Sequence, residues 1–289
     1  MRNVLILGSS GQIGLSLTKT LRENTDYKII ECDIVLNENN DLRKKSDFLN
    51  KSFKEADFVY FLAYDVGGSK YLKEHQNSLD FLDNNLSLML NTFNYIKEYS
   101  IPFIFASTQM SNMNHSAYGT LKRIGEHYTN ILGGHIVRFW NTYGIENDLS
   151  KTHVITDFIN SAISQKTIFM RTTGKEKRQF LHADDCSNAL LKIHQNYDDI
   201  EKRYLDITSF EWTTIYEIAQ IISNVFCNIP IKRGELEDLV QNNISNEQVF
   251  SIMENYYGIN TYHVVPDPNN TYIDHIDCWG KYLSATKVL

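Results

Sequence analysis

Proline and cysteine are both scarce, with four residues of each in a chain of 289. Cys32, Cys186, Cys227 and Cys278 are scattered and share no metal-ligand spacing. That excludes a zinc knuckle or a disulfide framework, predicts no metal site, and reads as reduced thiols in a cytosol. Long hydrophobic runs are missing as well. None approaches the roughly 20 apolar residues that a membrane-crossing helix needs. The apolar run Val4–Leu7 meets Gly8 at once and is too short for a signal-peptide core. The expectation is a cytoplasmic chain with no membrane partner. Basic charge is also short: Lys and Arg number 28 against 35 Asp and Glu, a net charge of −7. That balance speaks against a nucleic-acid partner. No collagen, coiled-coil or solenoid period is present.

What is there is a soluble globular composition, 42% hydrophobic and 22% charged. Short β-rich runs stand at Asn3–Leu7, Tyr27–Cys32, Asp57–Ala63, Pro102–Ala106 and His135–Trp140. Amphipathic stretches separate them. One carries Ile13, Leu17 and Leu21 on one helical face, a second covers Asn77–Tyr99, and a third Tyr118–Ile131. Nearly all-apolar strands alternating with helices predict an α/β fold: a doubly wound parallel sheet, Rossmann-type, covered on both faces.

The first strand runs into Gly8-Ser9-Ser10-Gly11-Gln12-Ile13-Gly14 and then a helix. Gly8 permits the tight turn, Gly11 lets backbone approach a pyrophosphate, and Gly14 lets the helix pack close to the strand. The helix N-terminus, with Gln12 and Ile13, offers N–H groups and positive dipole to phosphate. Asp33 follows the second strand, 19 residues after Gly14. A carboxylate there accepts from both ribose hydroxyls and repels a 2′-phosphate, so the expected cofactor is NAD rather than NADP. Asp41-Leu42 is either a contact to the adenine edge or an ordinary loop acid beside a leucine.

Ser107-Thr108-Gln109 closes the fourth strand, and Tyr118-Gly119-Thr120-Leu121-Lys122 begins ten residues after Thr108. Tyr118 and Lys122, four apart, share a helix face. A free tyrosine with a pKa near ~10 is a poor base at neutral pH. A neighbouring ammonium and a cationic nicotinamide ring both favour the phenolate, so Tyr118 is expected to titrate low. Lys122 also reaches the nicotinamide ribose, and Thr108 reaches the reacting oxygen.

This constellation resembles the extended short-chain dehydrogenase/reductase family, the NAD-dependent nucleotide-sugar epimerases and dehydratases, over roughly residues 1–230. Leu62-Ala63 resembles the strand end that lines the cofactor in that family. Gly67-Gly68 follows as in members that modify GDP-linked sugars. Asn84-Asn85 fits the asparagine at the start of the long helix, which makes Asn85 a cofactor contact. Arg138-Phe139-Trp140-Asn141-Thr142-Tyr143-Gly144 resembles the family's Arg-x-x-Asn-x-Tyr-Gly segment, where Asn141 meets substrate. Arg178-Gln179-Phe180-Leu181-His182 resembles the segment whose arginine holds the sugar-nucleotide diphosphate. The resemblance implies Thr108, Tyr118 and Lys122 as catalytic residues and Gln109, Asn141 and Arg178 as substrate contacts. It also implies a homodimer and a place in polysaccharide biosynthesis. Family 4,6-dehydratases carry Asp-Glu directly after the threonine; Gln109 and Met110 stand here and offer no acid or base. What remains is oxidation and reduction at C4. The rival is a non-catalytic dinucleotide sensor, against which intact Thr108, Tyr118 and Lys122 speak.

Three segments are expected: residues 1–165 as the NAD-binding domain, with 178–210 partly returning to it; 166–238 as a partial sugar-nucleotide lobe; and an acidic tail over 239–289. From Glu235 on, eight acids face only Lys281 and Lys287, so this stretch carries −6 of the net −7. Either a boundary near Arg233–Glu235 or an acidic surface helix and loop accounts for the shift. Tyr257-Gly258-Ile259 and Tyr272–Leu283 resemble part of the peptidylarginine/agmatine deiminase family, with His275 and Asp277 matching its His-x-Asp pair. No counterpart of that family's C-terminal nucleophilic cysteine is present, since Cys278 belongs to the His-x-Asp segment. Covalent guanidine chemistry is therefore not expected.

Overall fold

The strands of the computed structural model carry the short-period pattern of the sequence into three dimensions. It describes residues 2–236, apart from Asn114, Lys202, Arg203 and Phe210. The tail features, His275, Asp277 and Cys278 among them, lie outside the described residues.

In chain order the elements are β1 (Asn3–Leu7), α1 (Gln12–Asn24), β2 (Lys28–Cys32), α2 (Asp47–Glu55), β3 (Phe58–Phe61), α3 (Ser69–His75), α4 (Leu79–Tyr99) and β4 (Phe103–Thr108). Then come α5 (Ala117–Leu132), β5 (His135–Phe139), β6 (Asn141–Tyr143), α6 (Val154–Gln165), β7 (Ile168–Phe169) and β8 (Lys177–Arg178). The last are β9 (Phe180–His182), α7 (Ala183–Gln195), β10 (Tyr204–Ile207), β11 (Thr213–Thr214), α8 (Ile215–Val225) and β12 (Ile231–Lys232).

Six strands form one sheet in the order β10-β5-β4-β3-β1-β2, every described pairing parallel. Alternation along each strand sends side chains to opposite faces. Val4 and Ile6 join Leu17, Leu21, Leu190 and Ile193 under α1 and α7. Leu5 and Leu7 join Phe53, Phe93, Phe103 and Leu121 under α2, α4 and α5. Both faces are covered, which is why the strands read as nearly unbroken apolar runs. A third cluster, Phe158, Ile159, Ile215, Ile218 and Ile222 among it, packs α6 against α8 beside the small pairings β6–β9, β7–β12 and β8–β11.

Local chemistry fixes the helix ends. Ser78 accepts from Phe81 N at the start of α4, and Ser116 from Gly119 N at the start of α5. Each satisfies an N–H that the helix itself leaves unpaired. Gly133 ends α5 in the left-handed conformation, φ 80°. The chain leaves β1 for β2 on one side and β3 on the other. The crevice at the carboxyl ends of β1 and β3 is therefore the place where this topology opens a ligand site.

Candidate active site

A cavity of about 530 Å³ opens at that crevice, within the usual size range for small-molecule sites. Its floor is the β1–α1 loop. Gly8 sits at φ +83°, and a Cβ there would lie 2.7 Å from the backbone of Ala63. A Cβ on Gly14 would lie 2.1 Å from Gly8 O. Gly11 differs: its nearest neighbour to a Cβ is Gly8 O at 3.4 Å, so the protein itself leaves this position room. Gly11 caps α1 in extended backbone with no side-chain cap, so the helix presents its first N–H groups to the cavity. Gln12 Oε1 accepts from Thr142 Oγ1 at 2.8 Å, while Gln12 Nε2 is buried without a protein partner. Ile13, Leu62 and Ala63 complete this wall. A bare loop, an open helix end and an orphaned amide fit a dinucleotide's pyrophosphate.

Asp33 stands one residue beyond β2 and lines the cavity. Its carboxylate accepts from Ser10 N and Val35 N, each at 3.0 Å, which ties the glycine loop to the β2 end. Asp41 and Leu42 also line the cavity, but the Asp41 carboxylate is engaged. Arg43 forks onto it through Nε at 2.8 Å and Nη2 at 3.0 Å, and reaches Asn84 Oδ1 with Nη1 at 2.8 Å. The Arg43 hydrogen bonds hold Asp41 below the usual carboxylate range. Asn85 is fully buried and stands behind the wall. Its amide accepts from Asp65 N at 2.8 Å and donates to Asp65 O and Phe81 O. It shapes the loop after β3, and its neighbour Asn84 lines the cavity.

Thr108, Tyr118 and Lys122 meet at the deep end. Thr108 closes β4, and Tyr118 and Lys122 occupy the first two turns of α5. Lys122 Nζ donates to Ala106 O at 2.6 Å and lies 3.7 Å from the Tyr64 ring centroid. Tyr64 packs edge-on against Tyr118 at 5.7 Å. The expected low titration of Tyr118 is not what this arrangement produces. Burial pushes Tyr118 up to about 12, opposed by a hydrogen bond with Thr108. Burial likewise brings Lys122 down to about 7, opposed by Glu126. Taking a group out of water penalises its charged form, so phenol and amine both drift toward neutrality.

Gln109, Asn141 and Arg178 are not among the residues that line this cavity. Gln109 is buried in the single turn after β4. Asn141 Nδ2 donates to Gln179 O at 3.3 Å; alternation along β6 turns its neighbour Thr142 to the cavity instead. Arg178 pairs with Thr213 across β8–β11, its Nη1 on Lys177 O at 2.7 Å. The outer wall is made by Trp140, Glu146, Asn147, Asp148, Lys151 and His153. Lys151 Nζ reaches Asp65 Oδ1 at 2.8 Å. Glu146 accepts from His153 N, His153 Nδ1 and Thr156 Oγ1. Burial would raise the Glu146 carboxyl, but those donors hold it below its usual range. Gly67 and Gly68 pack directly on this wall, since a Cβ on Gly68 would lie 2.1 Å from Thr152 O. Sequence reasoning missed Glu146, Asn147, Asp148, Lys151 and His153 because no motif marks these loop positions.

The model of the NAD dependent epimerase/dehydratase family matches residues 4–207. The chain belongs to that family. NAD is accordingly its cofactor, and the glycine loop, Asp33, Leu62, Ala63 and Lys122 all line the cavity. Among curated relatives, UDP-glucuronic acid decarboxylase 6 of Arabidopsis thaliana is 23% identical over 226 residues, covering 66% of this chain and 65% of that protein. An epimerase structure from Methanothermobacter thermautotrophicus superposes with a TM-score of 0.78 at 18% identity, covering 98% of this chain and 92% of the other. The UDP-glucose 4-epimerase of Thermotoga maritima, solved with UDP-glucose, gives 0.69 at 17% identity, with 98% and 99% covered. The proteins this chain is similar to thus include an epimerase and a UDP-glucuronic acid decarboxylase. No described helix is long and apolar enough to cross a membrane.

Proposed function

We propose that this protein oxidises and reduces C4 of a nucleotide-linked sugar, as an epimerase or a 4-oxidase/4-reductase, with a GDP-linked sugar as the first candidate. The observation that supports this reading is the meeting of Thr108, Tyr118 and Lys122 in the cavity that the glycine loop opens. Nicotinamide, when bound, supplies the hydride acceptor and a positive charge. Tyr118 takes the proton of the C4 hydroxyl as hydride leaves C4, and returns it when hydride comes back. Thr108 holds the phenolic oxygen and the reacting oxygen in one hydrogen-bonded line. Lys122 holds the ribose and, as an ammonium, favours the phenolate.

Substrate contacts come from the outer wall, where Lys151 and His153 stand among acids. Residues 1–165 together with 178–210 form the cofactor domain in this reading, and the protein works in the cytoplasm as a homodimer. The alternative is a dinucleotide sensor without turnover. Mass spectrometry of small molecules co-purifying with the protein, followed by a panel of UDP- and GDP-sugars, separates the two. Reduced nicotinamide and a C4-altered product from one panel member are the expected result. NAD binding with no sugar turned over across the panel points to the sensor. A 4-keto-6-deoxy product from GDP-mannose or dTDP-glucose would overturn the restriction to C4, because Gln109 and Met110 provide no acid or base for dehydration.

A further inference from the structure

Behind the reacting groups lies a buried charge cluster that the chemistry above does not use. Glu126 stands one turn after Lys122 on α5, so the two share a helix face. Its carboxylate is held from two other elements. Ser107 Oγ, beside Thr108 on β4, donates to Oε1 at 2.6 Å. Arg138 on β5 forks onto it, Nε to Oε1 at 2.8 Å and Nη2 to Oε2 at 2.7 Å. The Arg138 and Glu126 side chains are 1% and 5% exposed. A buried ion pair is a poor device for stability, because apolar residues of similar volume often do as well. Its position one turn from Lys122 calls for another reason.

The groups around Lys122 are few. Tyr64 presents its ring from the loop after β3, Phe105 its ring from β4 at 5.1 Å, Ala106 O accepts from β4, and Tyr118 and Glu126 come from α5 itself. Arg138 stands behind Glu126, and Asp206 on β10 accepts from Trp140 Nε1 at 2.9 Å and faces Arg138. Burial drives Lys122 toward the neutral amine, and Glu126 is the carboxylate that opposes it. A carboxylate free to rotate would draw the lysine into an ion pair of its own. Clamped, it supplies a field and leaves the donors of Lys122 for Ala106 O and the ribose.

We propose that Glu126 is a positioning residue for Lys122: pinned by Ser107 and Arg138, its carboxylate favours the ammonium form of the lysine inside the cofactor cavity. The inference rests on reading Lys122 as the cation beside the cofactor, but its test needs no sugar substrate. It therefore stands or falls apart from the C4 assignment.

The experiment follows the titration of Lys122 by NMR of lysine-labelled protein, assigned against Lys122→Met, with the pH dependence of NADH affinity measured in parallel. Glu126→Gln keeps the shape and removes the charge, and should lower the Lys122 midpoint by ~1–3 pH units. NADH affinity should then fall off at correspondingly lower pH. Glu126→Asp keeps the charge and loses a methylene, and should stay closer to wild type in midpoint even if it melts lower. A purely structural role predicts the reverse order. If Glu126→Gln alone does not fold, Glu126→Gln/Arg138→Met removes both members of the ion pair and carries the same measurement. A folded charge-removing variant with the wild-type Lys122 midpoint overturns the proposal.

Discussion

At the inner end of the cavity the wall is backbone and buried side chains; at the outer end it is paired side chains on a loop. Gly8, Gly11 and Gly14 meet the ligand space with no side chain at all, and Lys122 is 3% exposed. Lys151 and Asp65 face each other across the outer wall with side chains 34% and 20% exposed. Low dielectric makes every charge at the inner end costly and specific, while water screens the outer pair. The same cavity thus holds one half whose geometry is over-determined and one half whose paired side chains remain in reach of solvent.

The largest expected contrast is catalytic. Tyr118→Phe removes the hydroxyl and leaves the ring, so turnover should drop ~10²–10⁴-fold while NAD titration stays near wild type. A Phe variant that turns over at the wild-type rate would remove Tyr118 as the base. Next is Arg138→Met, which strands Glu126 as a buried charge. Denaturant unfolding should show a loss of about 3–5 kcal/mol. A loss no larger than that of a surface mutation would mean the inner cluster is not the rigid half.

The glycines separate fold from binding. Gly14→Ala forces a methyl against Gly8 O and should cost about 1–3 kcal/mol by thermal melting. Gly11→Ala should melt near wild type yet lose NAD affinity, since its space belongs to the ligand. Cofactor choice follows at the scale of about tenfold or more, ~1.4 kcal/mol, in favour of NAD(H) over NADP(H). Equal affinities by calorimetry would detach Asp33 from the ribose.

The smallest effect on stability belongs to the outer wall. Lys151→Met should change it by no more than about 1 kcal/mol. The effect should appear instead in KM for the sugar nucleotide. The sign with pH is fixed by Asp65. Burial raises its carboxyl, but hydrogen bonds from Lys151 and Tyr71 outweigh that and hold it below the usual range. Its contribution is therefore complete above the unfolded value near ~3.9 and is lost as pH falls through the lower folded value. Melting curves of wild type and Lys151→Met should converge in that acid window. A gap that persists there would place the Lys151 effect elsewhere than in the Asp65 pair.

The amino-acid sequence by itself determined the alternation of strand and helix, the doubly wound class, the glycine loop and the spacing of Thr108, Tyr118 and Lys122. These are legible because each depends on neighbours in the chain: period-two burial, a turn that needs Gly, two residues four apart on one helix. Tertiary structure alone decided what those groups meet. It turned Asn85 onto the Asp65 backbone, paired Asp41 with Arg43, and set Arg178 on β8 opposite Thr213. It also buried Tyr118 and Lys122 deeply enough to move both toward neutrality. The spacing of two residues sets which face they share, but desolvation depends on everything that packs over them, and Tyr64, Glu126 and Arg138 come from three different elements of the fold.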